Sequence, residues 1–236
     1  MNTYRKTSII VGILFIIGTV AGVLSGILFT LPILGAPDYP ISVAENETKW
    51  IMGALLVLVM GFPLAMVPVL LYPIYKKYNE ALALGAVVFR GALEAVCYIS
   101  IVICWLSLLL LSQEFVKAGA PDDSYFQTMG TLLLGGAYWS EHILAIVFSI
   151  GALMIYYLFY KSRLVPRWLS GWGFIGGLLY LAAPLINLFN PQHPPLSVEA
   201  GVGILMIPLA IQEMVFAIWL IVKGFNSDVT ATASAK

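Results

Sequence analysis

Phe89-Arg90-Gly91-Ala92-Leu93-Glu94 lies inside an apolar run from Ala81 to Leu111, and its reading decides the rest of the chain. A run of that length can cross a bilayer of about 30 Å, so the stretch sets a cation and an anion at membrane depth. An ionisable side chain there costs several kcal/mol unless it is paired or faces a polar cavity. Arg90 and Glu94 are spaced i,i+4, which lets the two side chains meet on one helix face. The economical arrangement is a fixed charge pair turned away from lipid.

Working outward, comparable apolar runs recur along the whole chain, at residues 7–34, 50–75, 81–111, 128–160, 166–189 and 201–223. The 236 residues are 61% hydrophobic and 10% charged, with a mean hydropathy of +0.95. Soluble domains are about half apolar and about a quarter charged, so the composition excludes the soluble class. The expected fold is all-α: a six-helix transmembrane bundle forming one domain over residues 1–225, followed by a disordered tail at 226–236.

The cations orient it. Arg5 and Lys6, Lys76 and Lys77, then Lys161, Arg163 and Arg167, and finally Lys223 fall in alternate loops and at the two ends. The intervening loops hold only Lys49 and Lys117 among several acids. The positive-inside rule then predicts that both termini are cytoplasmic, in a multi-pass protein of the inner, cytoplasmic membrane. Residues 7–34 follow a positive n-region but run about twice the length of a signal h-region without an Ala-x-Ala-like ending, so a retained helix is expected.

Several classes are excluded or weak. The formal net charge is zero and no basic domain is present, so nucleic acid is not an expected partner. Cys97 and Cys104 are separated by about 10 Å of helical rise, too far for a disulfide. Glu141 and His142 are legitimate metal ligands, yet as neighbours on a helix they point about 100° apart, and no His-x-x-His or Glu-x-x-His pair occurs. His142 without a second ligand is poor support for haem. The reading therefore contains no metal and no cofactor, and His193 in the Pro-rich loop from Asn190 to Glu199 is read as a solvated loop residue.

Gly18-x-x-x-Gly22-x-x-x-Gly26 is a small-residue ridge that admits a neighbouring helix, either within the chain or from a second copy in a homodimer. Pro63, Pro68 and Pro73 predict a bent or partly unwound second helix, because each removes a backbone hydrogen bond. Tyr75-Lys76-Lys77-Tyr78 and the stretch from Tyr156 to Arg163 read as interfacial aromatic and cationic anchors, the latter also suited to anionic lipid headgroups. Residues 35–49 and 113–127 read as loops.

The chain resembles a bacterial integral-membrane family known only as a domain of unknown function. The resemblance is carried by Leu71-Tyr72-Pro73-Ile74-Tyr75-Lys76-Lys77-Tyr78-Asn79, by Phe89 to Glu94, by Tyr157 to Gly173, and by Gln212-Glu213-Met214 with Trp219 to Phe225. It implies a multi-helix inner-membrane protein and supplies no chemistry.

The chemistry rests on the buried polar residues. At about 1.5 Å of rise per residue, Glu94, Glu141 and Glu213 all fall within a turn or two of the bilayer midplane, and Arg90 about a turn nearer the cytoplasm. Three carboxylates then face one certain cation, Arg90, and a titratable His142. At least one glutamate must carry a proton unless His142 is charged or a cationic ligand supplies the balance. The candidate ligand-binding residues are Arg90, Glu94, Glu141, His142, Gln212 and Glu213. Three functions fit: a midplane site that binds or translocates a small solute or proton; a membrane-embedded enzyme acting on a lipophilic substrate, with Glu141, Glu213 or His142 as the catalytic group; or a structural or partner-binding protein in which the network only holds helices in register.

Overall fold

A computed structural model describes residues 3–119, 124–189 and 202–226. Among them are seven helices and no strand. They are α1 (Thr3–Leu34), α2 (Tyr39–Glu45), α3 (Glu47–Tyr75), α4 (Glu80–Lys117), α5 (Ser124–Ser162), α6 (Arg167–Leu188) and α7 (Val202–Val222). All but α2 are long and apolar enough to cross a membrane. Much of their apolar surface is uncovered, with Ile10, Ile13 and Ile17 on α1 and Ile211, Ile218 and Val222 on α7 among the exposed side chains. Lipid is the solvent such faces require, and the chain is a polytopic membrane protein. The disordered tail expected at 226–236 and the loop carrying His193 lie outside the described residues, apart from Asn226.

Three expectations change. Residues 35–49 contain the short helix α2, opened by Tyr39-Pro40 with proline in its first turn, where a missing N–H costs nothing, and α3 already begins at Glu47. Residues 113–127 are largely helical too, since α4 continues to Lys117 and α5 starts at Ser124. At 39 residues, α5 is about 58 Å long, longer than a bilayer with its headgroups at about 40–45 Å. And α3 stays α-helical through all three of its prolines. The irregular turns occur elsewhere, as π-helical segments at Ser25–Thr30 in α1, just ahead of Pro32, and at Val87–Leu93 in α4, which has no proline nearby.

Contacts gather into two units whose limits fall within α1, α3, α4 and α5. The first contains residues 1–17, 63–95 and 142–236. Its core is aromatic: Phe216 meets Phe159 at 5.0 Å between ring centroids and Phe15 at 5.8 Å, and Phe159 meets Tyr75 at 5.1 Å. Small residues let these helices close up. A Cβ at Gly12 of α1 would lie 2.7 Å from the Ala217 carbonyl of α7. Arg5 anchors the same pair of helices, donating through Nη1 to Leu220 O at 3.1 Å and through Nη2 to Ile221 O at 2.6 Å.

The second unit contains residues 18–62 and 96–141. Trp50 is wholly buried and donates from Nε1 to Trp105 O at 2.8 Å, which satisfies the indole N–H that a buried tryptophan must place. Ser25, in the π segment of α1, donates to Gly53 O at 2.8 Å. Gly22 packs on Met60 of α3, so this member of the glycine ridge is used inside the chain.

Candidate ion-pair site

The site lies in the first unit and is built on the π segment of α4. One extra residue in a turn widens the helix locally, and such bulges recur at functional sites. Here the widened turn carries Arg90 against Gly151 of α5 so closely that a Cβ on Gly151 would lie 2.6 Å from both the backbone N and the Cβ of Arg90. One turn back on the same face of α5, the Phe148 ring receives the guanidinium, with Cζ 3.9 Å from the ring centroid. The ring of Phe15 lies 5.8 Å from Cζ. The cation is thus held by aromatic faces as well as by hydrogen bonds.

Its hydrogen bonds run to two carboxylates. Arg90 Nη1 donates to both oxygens of Glu94 at 3.0 Å, and Nη2 donates to Glu213 Oε1 at 2.8 Å. The i,i+4 pair expected from the sequence is present, and Glu213 of α7 joins it across 123 positions of chain. Arg90 is 1% exposed, Glu94 0% and Glu213 9%. Two carboxylates on one guanidinium carry one surplus negative charge when both are ionised.

Gln212 and Glu213 share the buried face of α7, where Leu209, Gln212, Glu213, Phe216, Ala217 and Leu220 are all covered at the i, i+3, i+4, i+7 spacing of a helix packed along one stripe. Gln212 Nε2 donates to Leu169 O of α6 at 3.0 Å. Tyr156 is buried beside this face of α7, its ring 6.0 Å from that of Phe216. His142 Nε2 lies 2.7 Å from Asn187 Nδ2 of α6, both residues buried. Glu141 is the exception among the sequence candidates. It belongs to the second unit, is half-buried, and makes no hydrogen bond or ion pair among the described residues. One helical step of about 100° separates it from His142.

Four contributors escape a reading of charges alone: Phe148, Gly151, Tyr156 and Asn187. The stretch from Tyr156 to Arg163, read as an interfacial belt, in fact divides by face. Tyr157 and Tyr160 are 40% and 43% exposed, whereas Tyr156 and Phe159 are buried. Tyr75 is likewise buried. The signal for Tyr156 was present: His142, Ala145, Ser149, Ala152, Tyr156 and Phe159 alternate by three and four, and all are buried, the spacing of an inward seam. Among the described residues no group of three or more His, Cys, Asp or Glu could hold a metal ion.

The chain belongs to the family described as a domain of unknown function (DUF4386), whose model matches residues 10–224. No curated protein and no solved structure matches it.

Proposed function

We propose that this member of the family binds and translocates a proton, or a small cationic solute in its place, at the Arg90–Glu94–Glu213 triad. The observation that carries the reading is the charge count: two buried carboxylates on one guanidinium. A surplus negative charge in a low-dielectric site is costly, and a proton or monocation removes it. Glu213 is the group assigned to take it. Glu94 commits both oxygens to Arg90 while Glu213 commits one, and Glu213 is the more accessible of the two. Arg90 is then the fixed counter-ion, and Phe148 and Phe15 keep it in place. We further propose that both termini face the cytoplasm and that the membrane is the inner one, as the distribution of Lys and Arg supports.

The test is flux in proteoliposomes holding a pH-sensitive dye under an imposed proton gradient. Wild type is expected to dissipate the gradient faster than empty liposomes. Glu213→Gln, whose amide oxygen can still accept from Arg90, is expected to stay folded and to lose that flux. Undiminished flux in a folded Glu213→Gln sinks the assignment. A second reading is a purely structural clamp, favoured by the engagement of Arg90 with carboxylates of both α4 and α7. That reading requires wild-type flux equal to that of empty liposomes.

A further inference from the structure

We infer that the turn between α5 and α6, together with the end of α7, is a binding site for the phosphate of an anionic membrane lipid. A cavity of about 620 Å³ opens there, lined by residues 163–167, by Trp219 and by residues 223–226. Three of its lining side chains are cations (Arg163, Arg167 and Lys223) and none is acidic. Like charges gathered around one hollow repel, and an anion relieves that repulsion.

The hollow is built by the backbone. Arg163 adopts φ 57°, in the left-handed region, a conformation that is sterically unfavourable for a non-glycine residue. Its neighbours hold the turn: Leu164 N–H donates to Ser162 Oγ at 3.4 Å, and Asn226 N–H donates to Leu164 O at 2.8 Å. The second bond ties the segment after α7 to the turn before α6 and closes the cavity from that side. Gly224 supplies the reversal with φ 76°, a conformation glycine adopts without penalty.

The surroundings favour a lipid over a dissolved anion. Trp168 and Trp219 meet edge to face at 6.1 Å, and Trp168 is 55% exposed, as tryptophans are at headgroup level. Ile218 and Val222, at the same end of α7, are exposed apolar side chains along which acyl chains can lie. The shared chemistry is a phosphate, and the membrane supplies it as a headgroup; basic pockets between spanning helices recognise lipids in this way. The inference is independent of the triad, because none of the cavity's lining residues belongs to it.

The experiment is native mass spectrometry of the delipidated full chain, titrated with phosphatidylglycerol, with phosphatidylcholine, and with inorganic phosphate as competitor. Wild type is expected to retain one phosphatidylglycerol with about tenfold preference over phosphatidylcholine, undisturbed by millimolar phosphate. Arg163→Gln/Arg167→Gln/Lys223→Gln is expected to lose the preference, and Lys76→Gln/Lys77→Gln, outside the cavity, to keep it. Should the triple variant fail to fold, Lys223→Gln alone is expected to weaken the preference by a measurable fraction. Equal loss in the Lys76/Lys77 variant, no loss on removing the cavity's cations, or displacement of the lipid by free phosphate would each overturn the inference.

Discussion

Arg90 is the residue on which the described contacts of the first unit converge: two carboxylates, the ring of Phe148 and the backbone opposite Gly151. Removing one partner of a buried charge set is far worse than removing the set, because what remains is uncompensated charge. Arg90→Ala is therefore expected to destabilise the protein by about 3–5 kcal/mol, read as a lowered midpoint of thermal unfolding in detergent. Adding Glu94→Gln and Glu213→Gln to it is expected to recover part of the loss, and no recovery would mean that packing on Phe148, rather than charge, holds the site. The Arg90–Glu94 pair was legible because i,i+4 spacing brings side chains together whatever the tertiary structure. The Glu213 bond was not, since nothing local relates positions 123 residues apart.

Hydropathy located every spanning element, because about 20 apolar residues are needed to cross hydrocarbon and few other contexts tolerate them. Less visible was how the elements are finished. Arg5 reads in the sequence as one more positive-inside cation, yet its guanidinium sits on the last carbonyls of α7, at Leu220, Ile221 and Val222. A helix leaves those carbonyls without internal partners, and a cation there also meets the negative end of the helix dipole. Arg5→Ala is expected to cost about 1–2 kcal/mol locally, seen as faster amide hydrogen exchange in the last turn of α7 with little change at Glu213. Exchange that speeds up throughout α7, or not at all, would show that the contact is not a local cap. The π segments were illegible for a different reason. Prolines mark where a hydrogen bond is lost, but α3 absorbs its three without leaving the α form. A π turn instead gains a residue through packing, and Val87–Leu93 has no composition that announces it.

The proposed topology, six crossings with both ends of the chain on the cytoplasmic side, follows from the loop cations by the positive-inside rule and can be tested directly. Single cysteines in place of Lys77 and Arg163, in a background with Cys97 and Cys104 replaced by serine, are expected to react with a membrane-impermeant maleimide only after the cytoplasmic face is opened. Cysteines in place of Glu45 and Lys117 are expected to react from outside. Labelling of all four from one side would refute six crossings. What the sequence by itself determines is the solvent and the number of long apolar spans, because transfer of apolar and charged groups into lipid is strongly one-signed. The tertiary structure alone decides which of the ionisable residues meet: that Glu213 and not Glu141 completes the arginine's shell, that His142 pairs with Asn187, and that Tyr156 turns inward beside its exposed neighbour. The energy there lies in the rotation of one helix face against another, and a shift of one residue, about 100° of turn, reverses the answer without altering hydropathy.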